Sequence, residues 1–174
     1  MPKRKRSNKK ISGFGALKIE SHSKSIQNLR NNQLRENEAI SCIQKGNINE
    51  AEKIYLELIE RETQSHIVYG NLAAIYQMKG NKEKEQIIYL LKKALQIKPD
   101  FPDALNNLGN ALKEQGDLNS AILSFQKALK IKPDLADAHY NLGHAIFLVG
   151  NDYKKAWLQY EYRFKLSKKK TVPH

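Results

Sequence analysis

The segment NLGNALKEQGD, residues 107–117, decides the fold because the chain contains three versions of it. NLAAIYQMKGN precedes it at residues 71–81, and NLGHAIFLVGN follows it at residues 141–151. The first asparagines of successive versions are 36 and 34 residues apart. A period of this length is typical of repeats that each consist of two antiparallel helices. The sequence therefore predicts an all-α protein assembled from helical hairpins.

Four units result when the sequence is aligned on its recurrent glycines, which are Gly46, Gly80, Gly116 and Gly150. The units span about residues 32–65, 66–101, 102–135 and 136–165. In the third unit, apolar residues recur at the spacing of a helix with one buried face, first over 104–112 and again over 121–129. Gly116 and Asp117 lie between these two stretches and are predicted to form a turn.

The formal net charge of +12 is concentrated at the two ends of the chain. Residues 1–31 carry nine basic residues and one acidic residue, and residues 163–174 carry five basic residues and no acidic one. The body between them is close to neutral, so the charge does not predict specific binding of nucleic acid. We expect residues 1–31 and 166–174 to be disordered basic tails, because neither has the apolar periodicity of a packed helix.

Other classes of protein are disfavoured by what the sequence lacks. A single cysteine, Cys42, excludes an internal disulfide, and its apolar helix position predicts a small core residue. No apolar run approaches the roughly 20 residues that a membrane span needs. The sequence also contains no nucleophile elbow, phosphate-binding glycine loop or paired histidines for a metal. We therefore expect a cytoplasmic protein that is not an enzyme and binds no cofactor or metal.

The third unit resembles the tetratricopeptide repeat, a helical-hairpin family, through Leu105, Leu108, Gly109, Leu112, Ala121, Phe125, Ala128 and Pro133. The second unit has two extra residues, the fourth has one after Gly150, and the first has Arg35 where the family has a large residue. The resemblance covers about residues 32–165. It implies a right-handed superhelix of about four hairpins that acts in protein–protein interaction. No added polar helix is obvious after Tyr162, and only residues 20–31 could extend the first unit, which leaves end-to-end self-association open.

The resemblance also implies a groove, because in this family the first helix of each hairpin lines the concave face at its second, sixth, ninth and thirteenth positions. The sixth residue is asparagine in all four units: Asn37, Asn71, Asn107 and Asn141. The second and ninth residues of the third unit are Asp103 and Asn110, and the ninth residue of the fourth is His144. Amides offer donors and an acceptor to the backbone of an extended peptide. We predict that these residues bind a peptide; the alternative is that the asparagines bond to a neighbouring helix.

Two further resemblances concern enzymes that carry such arrays. The asparagine ladder is similar to that of the repeat domain of O-linked N-acetylglucosamine transferases. The helix AWLQYEYRF, residues 156–164, resembles the closing repeat of bacterial arrays that precede a glycosyltransferase or another transferase domain. Its residues Trp157, Tyr160 and Phe164 are also compatible with plain core that covers the end of the stack. Two functions stay open: a module that binds a protein or peptide partner, or the truncated N-terminal, substrate-recruiting region of a transferase.

Overall fold

The structure, a computed structural model, describes residues 14–80, 83–150 and 152–169. These parts of the chain form eight helices and contain no strand, which confirms the all-α prediction. The helices are α1 (Phe14–Gln44), α2 (Ile48–Glu60), α3 (His66–Met78), α4 (Lys84–Ile97), α5 (Pro102–Gln115), α6 (Leu118–Ile131), α7 (Ala136–Val149) and α8 (Tyr153–Lys169).

The helices of these described parts pair in chain order into four hairpins, α1–α2, α3–α4, α5–α6 and α7–α8. Each hairpin also packs on the next one, through α2 with α3, α4 with α5 and α6 with α7. On one side of the stack, α3 lies against α5, and α5 lies against α7. The first helices of the hairpins, of which α3, α5 and α7 contact one another, therefore form one layer of the superhelix, called the inner layer below.

A glycine with a positive φ follows the first helix of each of these hairpins: Gly46, Gly80, Gly116 and Gly150, with φ between 67° and 96°. Residues with a Cβ rarely adopt this conformation, so the glycine alignment that defines the units has a steric basis. The two extra residues of the second unit fall between Gly80 and Lys84 in the sequence, because α3 and α4 keep 13 and 14 residues. The insertion therefore lies outside both helices of the pair.

The α5–α6 hairpin is closed by a contact between Gly109 and Phe125. The Phe125 side chain is fully buried, and a Cβ built on Gly109 would lie 2.4 Å from its ring. Only a residue without a side chain permits this approach. The α7–α8 hairpin repeats the arrangement, because a Cβ on Gly143 would lie 3.0 Å from the carbonyl oxygen of Ala156. The small residues of the repeat motif therefore set the distance between paired helices.

One apolar core runs through the stack from α1 to α8. Tyr55, Leu72, Leu91 and Phe125 are fully buried members of it, each from a different helix. Cys42 is half-buried and packs against the same core, as its helix position predicts. Because every hairpin shares its buried face with a neighbour, no hairpin has a complete core of its own.

The first hairpin uses charge where the repeat motif has a large side chain. The guanidinium of Arg35 donates to Glu57 of α2 at 2.5 Å and to Glu38 at 2.6 Å. Glu57 also pairs with Arg61, and its hydrogen bond with Arg35 is the main cause that lowers the pKa of Glu57. This network ties α1 to α2 at the position that made the first unit the weakest match.

Helix α1 is longer than the first repeat requires. It includes residues 14–31, which the charge pattern assigns to a disordered tail. Residues 22–30 are all exposed, so this extension continues the helix of the packed segment that follows, and such propagation costs little once a helix exists. Helix α8 likewise includes residues 166–169 of the expected C-terminal tail. The rest of both expected tails, residues 1–13 and 170–174, lies outside the described residues.

Helix α6 begins at a side-chain cap. The Asp117 carboxylate accepts a hydrogen bond from the backbone N–H of Ser120 at 3.1 Å. The side chain of Ser120, together with this N–H, lowers the pKa of Asp117. A carboxylate with a lowered pKa stabilises the fold above its unfolded pKa of about 3.9, and this contribution is lost as the pH falls through the folded pKa.

Replacing Gly109 with alanine is expected to destabilise the protein, although alanine favours a helix by about 1 kcal/mol over glycine. The new Cβ would overlap the buried ring of Phe125, and overpacking of this kind costs about 1–3 kcal/mol. Gly70→Ala is the matched control, since its Cβ would lie 2.9 Å from Phe101, whose half-buried side chain can move. Urea unfolding should show a lower midpoint for Gly109→Ala alone. Equal stability of the two variants would contradict the close crossing.

Asp117→Asn is expected to keep a capping acceptor while removing the titration. The free energy of unfolding of this variant should therefore fall less steeply than that of the parent below about pH 4, as measured by urea unfolding at several pH values. Asp117→Ala also removes the acceptor and should be the least stable of the three at neutral pH. If the free energy of unfolding fell equally with pH in the parent and in Asp117→Asn, the ionisation of Asp117 would contribute nothing to stability.

Candidate functional site

Four polar side chains form one stripe along α5: Asp103, Asn107, Asn110 and Glu114. On a helix with about 3.6 residues per turn, they fall within about 60° of one another and lie opposite the buried Leu105. Asp103 and Glu114 are exposed at the two ends, while Asn107 and Asn110 are half-buried in the middle. Helix α5 lies between α3 and α7 in the inner layer, and this stripe is the part of α5 that the sequence predicts to line a groove.

The equivalent stripes of the other inner helices differ in polarity. Helix α7 has Asp137, Asn141, His144 and Leu148, helix α3 has Ile67, Asn71, Ala74 and Met78, and helix α1 has Gln33, Asn37, Ile40 and Gln44. Three carboxylates and no lysine or arginine occupy these positions in the four helices. The groove is therefore uncharged toward its N-terminal half and acidic toward its C-terminal half.

Two of the four predicted asparagines bond to a neighbouring helix. The Asn71 amide donates to the hydroxyl of the buried Tyr55 on α2 at 2.8 Å. The Asn141 amide, which is itself buried, donates to the side-chain oxygen of Asn106 on α5 at 3.1 Å. The contacts of these two residues match the alternative that the sequence left open, in which the asparagine bonds to a neighbouring helix. Each amide joins adjacent parts of the array.

The other two asparagines have different surroundings. The exposed Asn37 accepts a hydrogen bond from Gln33 of its own helix at 3.3 Å. Asn107 is tied through its backbone, because its carbonyl oxygen accepts from the Gln77 side chain of α3 at 3.0 Å. The Asn107 side chain remains half-exposed in the groove. The four asparagines thus do not form one uniform ladder.

Asn110 has the most unusual environment of the predicted groove residues. Its side-chain oxygen is buried and has no hydrogen-bond partner within the described residues. Buried polar atoms are almost always paired, because an unsatisfied acceptor costs about 1–3 kcal/mol. Asn110 is thus the residue of the α5 stripe whose hydrogen bonding is incomplete.

The two histidines of α7 do not form one site. His139 is buried, and its ring nitrogens contact Gln159 at 2.7 Å and the carbonyl oxygen of Pro133 at 2.9 Å, so it fastens α7 to α8 and to the preceding turn. His144 is half-buried in the groove, with its ring stacked 6.4 Å from that of Tyr140. In the described parts of the chain, no group of three or more possible ligands is placed to hold a metal ion.

The outer face of α8 is the open end of the stack. Trp157 and Leu158 are 67% and 55% exposed there, whereas Tyr160 faces α7, with its ring 5.3 Å from that of Tyr140. Tyr160 therefore serves as core, but Trp157 does not, because the last helix presents it to solvent. Across residues 14–80, 83–150 and 152–169, no helix is long and apolar enough to cross a bilayer.

The sequence does not reveal the partners of the groove asparagines. Tyr55 belongs to the buried face of a second helix, and Asn106 lies at a position where the four units share no residue type. The bond from Gln77 to Asn107 is not evident from the sequence either, because Gln77 lies next to the four groove positions of α3 and not at one of them. Asn106 itself was the residue that could have indicated the bond with Asn141, because an amide that is buried one residue before a groove position needs a polar partner.

Sequence comparison agrees with the repeat architecture. The family model for the TPR repeat matches residues 85–116 and 109–150, which extend from α4 through α7. Protein O-mannosyl-transferase TMTC1 of Homo sapiens is 36% identical over 84 residues. These residues are 46% of this chain but 9% of TMTC1, so the chain matches only a small part of that protein's length.

Solved structures share the whole fold at low sequence identity. The crystal structure of MamA has a TM-score of 0.70 at 22% identity and covers 87% of this chain and 88% of its own. YrrB, described as a TPR protein with an unusual peptide-binding site, has a TM-score of 0.63 at 17% identity and covers 75% of this chain and 66% of its own. The likeness at such identities concerns architecture. The family match identifies TPR repeats in residues 85–150, within an array whose fold is that of the solved TPR structure.

Proposed function

We propose that this chain is a protein-interaction module that binds an extended peptide segment of a partner in its concave groove. Asn107 and Asn110 hold the peptide backbone at the centre, and the other residues predicted from the sequence flank them. This role is recruitment, and it needs no catalytic residue, cofactor or metal. The expected cytoplasmic location, the domain boundaries and end-to-end self-association stay predictions.

The observation that carries the proposal is the unpaired side-chain oxygen of Asn110. Rotation of the amide about its terminal torsion turns this oxygen toward the groove, where a peptide N–H can donate to it. Asn107 lies three residues earlier on the same face, so the two side chains are about 5–6 Å apart. Alternate residues of an extended peptide are about 6.6 Å apart, which suits a pair of amides at this spacing.

The charge of the groove favours a basic partner. Asp103, Glu114 and Asp137 are exposed on the inner layer, and the equivalent positions of the four helices carry no basic residue. A peptide with lysine or arginine beside its backbone contacts would be attracted to the C-terminal half of the groove. The uncharged half, with Ile67 and Met78, suits apolar side chains.

The asparagine contacts are tested with peptides selected against the whole chain from a displayed random library and measured by calorimetry. The double variant Asn107→Ala/Asn110→Ala should bind these peptides about 10- to 30-fold more weakly, because two hydrogen bonds of about 1 kcal/mol each are lost. Its unfolding midpoint should equal or exceed that of the parent, since no hydrogen bond joins either side chain to another described helix and the unpaired oxygen of Asn110 is removed.

Asn119→Ala is the matched control, because Asn119 is exposed on α6, outside the inner layer. It should leave the peptide affinity unchanged. Asn71→Ala and Asn141→Ala should lower stability as well as affinity, since their amides join helices. Selected peptides that bind the double variant as tightly as the parent would rule out backbone capture by these two amides.

A second candidate function is favoured by the match with TMTC1, which is named an O-mannosyl-transferase. Under this alternative, the array is the truncated N-terminal, substrate-recruiting region of a glycosyltransferase or another transferase. The exposed Trp157 and Leu158 at the open end of the stack would then be covered by the next part of the polypeptide. Apolar side chains of this size rarely face water together without a partner.

The two candidates differ in the mass of the native polypeptide, detected in its source cells with an antibody against the repeat body. A band near 20.0 kDa, the mass of this sequence, supports the separate interaction module. A much heavier band supports the transferase region and directs the search for substrates to the attached domain.

A further inference from the structure

A cleft lies at the N-terminal edge of the array, between the long helix α1 and the turn that joins α2 to α3. Its volume is about 830 Å³. One wall is α1 from Lys24 to Glu36, and the other is the segment 61–67. Cavities of about 300–1,000 Å³ commonly hold small ligands, so this cleft has room for one side chain and the backbone beside it.

Glu36 lines this cleft and is only 5% exposed. In the described part of the chain, no basic side chain and no hydrogen-bond donor contacts its carboxylate. The Glu36 oxygens are not among the fully enclosed unpaired atoms, so water in the cleft reaches them, but no protein donor compensates their charge at hydrogen-bond distance. Acidic residues buried to this extent are normally paired. The Glu36 carboxylate therefore lacks a partner that a ligand in the cleft can supply.

The repeat register explains why this partner is missing. The counterpart of Glu36 in the third unit is Asn106, whose side-chain oxygen accepts from Asn141 of the next unit. The residue equivalent to Asn141 in the second unit is Asn71, and its amide donates to Tyr55 instead. Glu36 thus occupies the register position of Asn106, but the asparagine of the next unit, Asn71, bonds to Tyr55 and not to Glu36.

The cationic groups around the cleft do not replace this donor. Lys24 is 12 residues before Glu36 on α1, which places it about 18 Å away along the helix axis. Arg61 is engaged in an ion pair on α2. Burial and the nearby Lys98 lower the pKa of His66, and the charge of Glu36 raises it in part, so the net shift favours the neutral imidazole. No cationic side chain of the cleft therefore pairs directly with the Glu36 carboxylate.

We infer that this cleft holds an arginine or lysine side chain of the bound partner segment, paired with the Glu36 carboxylate. Gln33 and Ile67 line the cleft and are also groove positions, so a peptide can run from one into the other. Arginine fits best, because its planar guanidinium can donate two parallel N–H bonds to a carboxylate. The inference rests on the proposed function for the kind of ligand, but not on the asparagine contacts.

Two acetylated pentapeptide amides test the pairing on the whole chain. One has arginine at its centre and glycine elsewhere, and the other has citrulline, which keeps the shape without the charge. Binding is followed by NMR through the backbone amide shifts of Thr63, Ser65 and Ile67. The arginine peptide should cause saturable shifts at these residues, and the citrulline peptide should bind about tenfold or more weakly.

Glu36→Gln keeps the side-chain size and removes the charge, so it should abolish the preference for the arginine peptide. Its unfolding midpoint in urea should equal or exceed that of the parent, because an unpaired buried charge is removed. Glu62→Gln is the matched control, since Glu62 is an exposed carboxylate of the same cleft. It should change the affinity for the arginine peptide by less than about twofold.

Equal binding of the two peptides by the parent, or equal binding of the arginine peptide by the parent and Glu36→Gln, would overturn the inference. Shifts confined to residues outside the cleft would do the same. A markedly lower midpoint for Glu36→Gln would show that the carboxylate already has a structural partner, which also overturns it. If Asn107→Ala/Asn110→Ala still lowers the affinity for the selected peptides, each of these results refutes the Glu36 pairing and leaves the proposed asparagine contacts standing.

Discussion

The approach of the Phe125 ring to the backbone at Gly109 is the contact on which the rest of the array depends. It brings α5 and α6 so close that their remaining apolar side chains pack on the adjacent hairpins. It also fixes the rotation of α5, so that the stripe from Asp103 to Glu114 points away from α6, on the side where we propose the groove. A bulkier residue at position 109 would push the helices apart and displace the groove with them.

In the described stack, each inner hairpin packs against a neighbour on both sides, whereas each terminal hairpin packs against one. The contacts at the two ends differ accordingly. At one end, Arg35 replaces an apolar contact with an ion-pair network, and at the other, Trp157 faces solvent. The inner layer shows how one residue type serves two purposes. The amides of Asn71 and Asn141 connect parts of the array, whereas those of Asn107 and Asn110 are the ones that we propose to bind a ligand.

The hairpins, their turns and the composition of the groove were predictable because local rules decide them. The left-handed turn at Gly116 requires glycine, and the helical period places Asn110 on the face of Asp103. The hydrogen-bond partners were not predictable, because they join side chains from different repeats. The burial of Glu36 likewise depends on a turn that approaches α1 only in the folded chain. The extension of α1 was an open alternative for residues 20–31 and no more, because charge indicates disorder, whereas a packed helix propagates past its core.

Native-state hydrogen exchange measured at every backbone amide tests the dependence of each hairpin on its neighbours most directly. If neighbours supply the stability, the amides of α3 to α6 exchange slowest, and protection declines toward the exposed part of α1 and toward α8. Slowest exchange in α8, or equal protection in all four hairpins, would contradict this account. A terminal hairpin would then be as stable with one neighbour as an inner hairpin is with two.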